Sequence, residues 1–189
     1  MKLRELFSEH YQPTRLRGGR NTVRLYGCVM NRLTEHFGRE PDTSDLQNNT
    51  IAKYLDARSS QVSPYTVERE RTQILALWRF ACVHRIGSVE SMPDVPPGRL
   101  PRKIPTAWTS EEMKLLMVAA RMTPGTIAGR EAGNFFHALI FCAWITAERV
   151  GALMALTPRD LVDPYLSVRA ETRKGGRAPK IFQLPPTLL

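Results

Sequence analysis

Apolar side chains recur every three or four residues along several stretches of this chain, which is the spacing of one face of an α-helix. The clearest stretch covers residues 22–37 and is followed by Gly38, a residue type that commonly ends helices. Two further stretches predict helices, one starting after Thr43 or Ser44 and one running from Ser63-Pro64 to about Arg85. The first hundred residues therefore predict a small bundle of three or four helices.

A proline-rich segment follows this bundle. Between residues 92 and 105, five of the fourteen residues are proline, which removes backbone donors and excludes a helix. We interpret the segment as an extended linker that also carries Arg99, Arg102 and Lys103. Two functions remain open for it, a solvated spacer or a basic strap that lies along a phosphate backbone.

The second half begins with another helix signal, because Thr109 and Glu112 have the spacing of a capping box. A segment without charged residues then runs from 132 to 147 and is apolar on all sides, so we expect it in the middle of its domain. Two strands are predicted near 165–171 and 179–184, joined across Gly175-Gly176. The fold class is mainly α with one small antiparallel hairpin.

The charge balance favours a polyanionic partner. The chain has 27 Lys and Arg against 18 Asp and Glu, a net charge of +9, and both halves carry part of the excess. No Walker-type glycine loop and no His/Cys/carboxylate spacing typical of a metal site is present. We therefore expect no cofactor, no metal and no small-molecule substrate. The longest uncharged segment is shorter than the roughly 20 residues of a membrane span, so we expect a cytoplasmic, nucleoid-associated protein without a membrane partner.

The order of motifs in the second half resembles a known family. An apolar segment ends in Thr146-Ala147-Glu148-Arg149, a strand follows, and a basic turn runs from Arg173 to Arg177 before a second strand. This order, together with the helix start at 109–116, resembles the first half of the catalytic domain of tyrosine recombinases, the phage-integrase family. The resemblance implies a helical, SAM-like core-binding domain at 1–91, a linker at 92–105, and the first part of an α+β catalytic domain at 106–189.

The resemblance also assigns roles to individual residues. Arg149 matches the arginine that stabilises charge on the phosphate oxygens, and Lys174 matches the hairpin lysine that protonates the departing 5′ oxygen. Arg173 is a second candidate for the place of that lysine, since the alignment near Pro179 contains one extra residue. Otherwise Arg173 and Arg177 are expected to contact the DNA backbone together with the basic residues of the linker.

The sequence departs from the family pattern in three ways. Ala147 stands where a glycine is usual, and Ala152 replaces an acid that supports the site. No His-x-x-Arg box and no tyrosine follow Lys174, which indicates truncation before the nucleophile. We therefore expect a recombinase-like protein that binds double-stranded DNA, with other recombinase protomers as candidate partners, and that is inactive alone. The alternatives are a stand-alone, non-catalytic DNA-binding or regulatory module, and an interaction protein without a nucleic-acid role.

Overall fold

A computed structural model describes residues 1–16, 19–89, 91–102, 104–173 and 178–185 of the chain. The chain divides into two compact units, Met1–Ile104 and Pro105–Leu189, which are described separately below. Both are built mainly from α-helices, and the second also carries small antiparallel sheets, so the predicted fold class is confirmed.

The first unit is a helical bundle. Its helices are α1 (Leu3–Glu5), a π-helical turn (Leu6–Tyr11), α2 (Gln12–Arg15), α3 (Arg20–Phe37), a 3-10 turn (Thr43–Asp45), α4 (Asn48–Ser59) and α5 (Pro64–His84). Two of the residues that the sequence predicts at helix ends are found there. Ser63 accepts a hydrogen bond from the backbone of Thr66 at the start of α5, and Gly38 ends α3 with a φ of 66°.

The core of the first unit forms where the apolar faces of these helices meet. α3, α4 and α5 contribute Tyr26, Val29, Met30, Leu33, Ile51, Tyr54, Leu55, Ile74, Leu75, Leu77, Trp78, Phe80 and Ala81. The N-terminal residues 3–15, for which the sequence pattern gave no helix, add Leu3, Leu6 and Phe7 to the same core. The N-terminus is therefore an integral part of the bundle.

A buried carboxylate joins α4 to α5 inside this core. Glu70 is 4% exposed, and its Oε2 accepts hydrogen bonds from the Tyr54 hydroxyl at 2.7 Å and from Arg58 Nε at 3.1 Å. Arg58 Nη2 also donates to Oε1 at 2.9 Å. Burial by itself would raise the pKa of Glu70, but the hydrogen bonds from Arg58 and Tyr54 outweigh it and leave the pKa below its ordinary value. The carboxylate is therefore ionised and paired at neutral pH.

The proline-rich segment packs along α5 over residues 91–102, which we call the strap. Four side chains of α5 hold it in reverse order along the helix: Trp78 contacts Ser91, Arg71 contacts Val95, Glu68 contacts Gly98 and Tyr65 contacts Pro101. The contact at Arg71 is central, because Nε donates to the Val95 carbonyl at 2.9 Å and the Val95 side chain is only 6% exposed. The strap has no regular secondary structure, yet it is docked on the bundle rather than free in solvent.

The described part of the second unit combines three α-helices and two 3-10 turns with two small sheets. Its helices are α6 (Ser110–Arg121), α7 (Ala132–Thr146) and α8 (Val150–Leu153), with 3-10 turns at Pro158–Asp160 and Ala170–Thr172. Strands β1 (Thr126–Ile127) and β2 (Arg130–Glu131) form one antiparallel pair. Strands β3 (Leu161–Val162), β4 (Tyr165–Val168) and β5 (Lys180–Gln183) form an antiparallel sheet in the order β3-β4-β5, with Leu166 opposite Phe182.

Helix α7 is less covered than its sequence predicts. Although nearly every residue is apolar, only Ala132, Gly133 and Thr146 are buried within the described part of the chain. Close packing against α6 occurs at one end, where the Cβ of an alanine at Gly133 would lie 2.2 Å from the Arg121 carbonyl oxygen. Further along, α6 and α7 enclose an open groove of about 640 Å³ whose lining includes Met113, Met117, Phe141 and Trp144. On another face of α7, Phe135, Leu139 and Cys142 line a second pocket together with Leu153 and Leu156. Described elements therefore contact α7 on two sides but leave most of its side chains partly exposed.

Among the described residues, no helix is both long enough and apolar enough to cross a membrane.

Replacing Glu70 should destabilise the first unit strongly. In Glu70→Ala the Arg58 guanidinium and the Tyr54 hydroxyl lose their buried partner, and we expect the free energy of unfolding to fall by about 3–5 kcal/mol. Hydrogen exchange of α4 and α5 peptides in rising urea measures this unit specifically. Glu35→Ala is the matched control, because Glu35 is exposed and pairs with Arg32 on the surface of α3, so it should cost less than about 1 kcal/mol.

The same carboxylate should make stability depend on pH. Because the folded state lowers the pKa of Glu70, its contribution is present above the unfolded-state pKa of about 4.3 and is lost as the pH falls through the lower folded-state value. Glu70→Gln should flatten that part of the pH profile. An unchanged acid limb in Glu70→Gln would contradict this assignment.

Candidate functional site

The turn between α7 and α8 positions the residues that the sequence singles out. Thr146, the last residue of α7, donates its hydroxyl to the Cys142 carbonyl at 2.6 Å and accepts the backbone N–H of Glu148 at 3.2 Å. Ala147 then adopts a φ of 51°, in the left-handed region that favours glycine. Ala147 therefore adopts a backbone conformation that glycine takes at lower steric cost.

Arg149 is the N-cap residue of α8 and its side chain is exposed. Its carbonyl oxygen accepts the backbone N–H groups of Ala152 and Leu153, at 2.8 and 3.1 Å, which ties the residue into the first turn of the helix. In the described ranges of the chain, no side chain forms an ion pair or hydrogen bond with the Arg149 guanidinium. An exposed cation on a hydrogen-bonded turn, without a partner among the described residues, is available to bind an anion.

Glu148, next to Arg149, forms a buried ion pair with the base of the hairpin. Its Oε1 accepts a hydrogen bond from Arg173 Nε at 3.1 Å and lies 3.0 Å from Arg173 Nη2. The same oxygen lies 3.9 Å from Nζ of Lys180 on β5. The side chains of Glu148 and Arg173 are 7% and 11% exposed. Arg173 Nη1 also donates to the Ala178 carbonyl at 2.6 Å. The guanidinium of Arg173 is thus already engaged on two sides.

A second carboxylate braces the sheet behind this turn. Asp160 Oδ2 accepts the backbone N–H and the hydroxyl of Thr157, at 2.7 and 2.8 Å, and Oδ1 pairs with Arg169 Nε at 3.2 Å. Arg169 also donates to the Ala155 carbonyl just after α8. The backbone and hydroxyl bonds from Thr157, and then the charge of Arg169, lower the pKa of Asp160. Asp160 therefore stays ionised and holds the end of β4 against the segment that follows α8.

The remaining predicted site residues fall into two groups. Arg99 and Arg102 are exposed on the strap of the first unit. Lys103, Lys174 and Arg177 lie outside the residues that the structure describes. Within the second unit, the structure brings the Arg149 turn and Arg173 together through Glu148.

Three of the chain's five tyrosines lie in the bundle core or in the sheet of β3, β4 and β5. Tyr26 and Tyr54 are buried in the first unit, and burial together with hydrogen bonding raises the pKa of both phenols. In the second unit, Tyr165 is the only tyrosine and lies on β4, paired with Val162 and Gln183. Among the described residues, no group of His, Cys, Asp and Glu side chains is arranged to hold a metal ion.

Glu148 is the residue that sequence reasoning missed. Glu148 and Arg149 are the only residues of the Asp, Glu, Lys and Arg types between 132 and 158. A lone carboxylate in such an apolar stretch has to find a cation if it is buried. This isolated position of Glu148 in the sequence is the signal that it needs a cationic partner. The signal does not identify Arg173, which is 25 residues away in sequence.

Comparison with known proteins supports the fold at low identity. No family model and no curated protein matches the chain. Among solved structures, a lambda integrase tetramer bound to a Holliday junction superposes with a TM-score of 0.71 and 16% identity, over 97% of this chain and 51% of that one. A lambda integrase dimer bound to a COC′ core site gives 0.66 and 17%, over 97% and 49%. The Tn1549 transposon integrase, in complex with transposon right end DNA, gives 0.60 and 16%, over 98% and 58%.

These likenesses confirm the tyrosine-recombinase fold implied by the motif order. At 16–17% identity they show the fold alone. The chain spans about half the length of the integrases that it matches.

The left-handed conformation of Ala147 leads to a stability prediction. Ala147→Gly should raise the free energy of unfolding of the second unit by about 1 kcal/mol, because glycine adopts a positive φ without steric cost. Ala143→Gly is the control within α7, where the same substitution should lower stability by about 1 kcal/mol. Urea unfolding followed by far-UV circular dichroism measures both variants. Destabilisation of similar size at both positions would show that Ala147 does not adopt this conformation in solution.

Proposed function

We propose that this chain binds duplex DNA, mainly through the phosphate backbone and with little sequence preference. The observation that carries the proposal is the exposed guanidinium of Arg149, which has no partner among the described residues, on a turn of the tyrosine-recombinase fold. The net charge of +9 supports a polyanionic ligand. The three solved neighbours are integrases in complex with DNA, which supports duplex DNA as that ligand. One of them is a tetramer and another a dimer, which supports other protomers as partners.

Arg149 is the residue that we assign to the central phosphate. Its planar guanidinium donates to two non-bridging oxygens at once and does not deprotonate near neutral pH. Because the turn is held by Thr146 and by the first turn of α8, the side chain starts from a fixed backbone. This placement lowers the entropy that ordering the arginine on a phosphate would otherwise cost.

The strap supplies a second basic surface in this proposal. Arg99 and Arg102 are exposed on a segment that α5 holds through Arg71, Glu68 and Tyr65. Because the strap is docked on α5, the backbone that carries these two arginines has one defined position, unlike the backbone of a free linker. Lys103 is assigned to the same surface from its position in the sequence. The strap is thus a preorganised backbone contact rather than a spacer.

The hairpin contributes through its turn. Lys174 and Arg177 are assigned to DNA on the strength of the motif order, with Lys174 in the place of the family's general acid. Arg173 differs from them because its guanidinium is held by Glu148 and Ala178. That engagement favours Lys174 over Arg173 for the place of the hairpin lysine.

The chain alone is proposed to bind without performing strand transfer. A tyrosine nucleophile requires a phenol next to the bound phosphate, with cations that stabilise its ionised form. Tyr26 and Tyr54 are buried, with raised pKa values, and Tyr165 is paired within a sheet. Arg149 can still bind a phosphate, since electrostatic stabilisation survives the loss of a nucleophile.

Binding should depend steeply on salt, and Arg149 should account for part of that dependence. Each contacted phosphate contributes a slope of roughly 0.9 in log affinity against log salt concentration. Fluorescence anisotropy with a labelled duplex at several salt concentrations should show Arg149→Ala reducing the slope by about one contact. Arg159→Ala removes the same charge from an exposed position in the same unit and is the matched control. Equal effects of the two variants would remove the special role of Arg149, and an affinity independent of salt would refute binding through the phosphate backbone.

The strap is tested in the same assay. Replacing Arg99, Arg102 and Lys103 together by alanine should lower the slope by as many contacts as they make. An unchanged slope would leave the segment as a spacer.

No covalent adduct should form between this chain and a nicked or suicide DNA substrate. The physical reason is that Tyr26 and Tyr54 are buried with raised pKa values, and that Tyr165 is paired within a sheet. Denaturing electrophoresis of the reaction provides the measurement. A denaturation-resistant DNA-linked band that disappears in one Tyr→Phe variant would show that a tyrosine of this chain acts as nucleophile.

A further inference from the structure

We infer that Glu148 is a positioning residue that fixes Arg149 for phosphate binding by pinning the α7–α8 turn to the base of the β4–β5 hairpin. The inference rests on the proposed function, because it concerns how the Arg149 site is held. Its basis is the buried ion pair between Glu148 and Arg173, with side chains 7% and 11% exposed and Nη2 3.0 Å from Oε1. Neither residue has this role in the motif order that suggested the fold.

The contacts of Arg173 and Glu148 involve both arms of the β4–β5 hairpin. Arg173 comes before residues 174–177 in the sequence, and it donates to the carbonyl of Ala178, which comes after them. Lys180 on β5 places its ammonium 3.9 Å from the same oxygen of Glu148. One carboxylate therefore contacts cations from both arms, so the α7–α8 turn and the hairpin base are held as one assembly.

Burial makes this assembly hard to separate. Removing a carboxylate or a guanidinium from water costs a large solvation free energy. Only a well-formed ion pair or hydrogen bond compensates that cost. If the hairpin moved away from the turn, either both groups would have to be hydrated or one would stay buried without a partner. The pair consequently favours a single arrangement of the two segments.

The ion pair of Glu148 also restricts the backbone of Arg149, because Arg149 follows Glu148 directly in the chain. On one side of Glu148, Ala147 has a positive φ, and on the other side Arg149 begins α8. Holding the Glu148 side chain leaves little freedom for the backbone between these two points. Ala152, at the position where the recombinase motif has a supporting acid, is buried and carries no charge. Instead, the carboxylate near the site comes from Glu148, the residue directly before Arg149.

A positioning role of Glu148 and a purely electrostatic role predict opposite effects of its removal on DNA affinity. Removing an acid from a DNA-binding surface should tighten binding, and it should also release the cation of Arg173. If Glu148 positions Arg149, its removal should instead reduce the contribution of Arg149 to DNA affinity. The sign of the effect separates the two accounts.

The experiment is a double-mutant cycle in the salt-dependent DNA assay. We compare Arg149→Ala in the unmodified chain and in Glu148→Ala, and we expect the loss of roughly 0.9 in slope to shrink to less than half in the second background. Arg173→Ala should reduce the contribution of Arg149 equally, although its charge change is opposite. Arg173→Lys, which keeps the charge, should restore part of the contribution.

The control is Glu171→Ala, which removes an exposed carboxylate from the same unit. It should leave the effect of Arg149→Ala unchanged. If Glu148→Ala does not fold, Glu148→Gln takes its place, because the amide keeps the shape and one acceptor while it loses the charge.

The outcomes separate the inference from the proposed function. If Arg149→Ala has no effect in the unmodified chain, the assignment of the phosphate site to Arg149 fails. If Arg149→Ala has its full effect in every background and Glu148→Ala merely tightens binding as Glu171→Ala does, the positioning role is refuted. A direct phosphate contact by Arg173 would appear as a lower slope in Arg173→Ala with the Arg149 contribution intact, which also overturns the inference.

Discussion

A carboxylate that is withdrawn from water has to be paired, and both units of this chain contain such pairs. In the first unit, Glu70 receives Tyr54 and Arg58 and thereby sets α4 against α5. In the second, Glu148 receives Arg173 and sets the turn after α7 against the hairpin. Apolar packing brings these elements together without directional preference. The ion pairs add direction, since their geometry is satisfied only in one arrangement.

Local signals in the sequence were sufficient for most of the helices. Periodicity and capping residues predicted α3, α4, α5 and α6 because each signal acts within a few residues of its own helix end. The N-terminal residues 3–15 were missed. They form short segments around a π-helical turn, which shifts the repeat of apolar positions, and their burial depends on contact with the rest of the bundle.

Non-local contacts explain what composition could not reveal. The prolines predict an extended segment at 92–105, whereas the docking of the strap depends on Arg71 reaching the carbonyl of Val95, 24 residues later. The order of motifs led to Arg149, whereas the partner of Glu148 is separated from it by 25 residues. Helix α7 was expected at the centre of its domain because all its faces are apolar. Periodicity gives the character of a face, but it does not identify the element that covers it.

The reverse direction of the strap along α5 gives its attachment a mechanical character. Trp78 and Tyr65 are thirteen residues apart, so the anchoring side chains are spread over roughly 20 Å of helix. A force that pulls residue 104 parallel to the axis of α5 acts on all four contacts between the strap and α5 at the same time. Tension directed away from the helix peels them singly, beginning with Tyr65 and Pro101. The same set of hydrogen bonds therefore resists one direction of pull strongly and yields readily to the other.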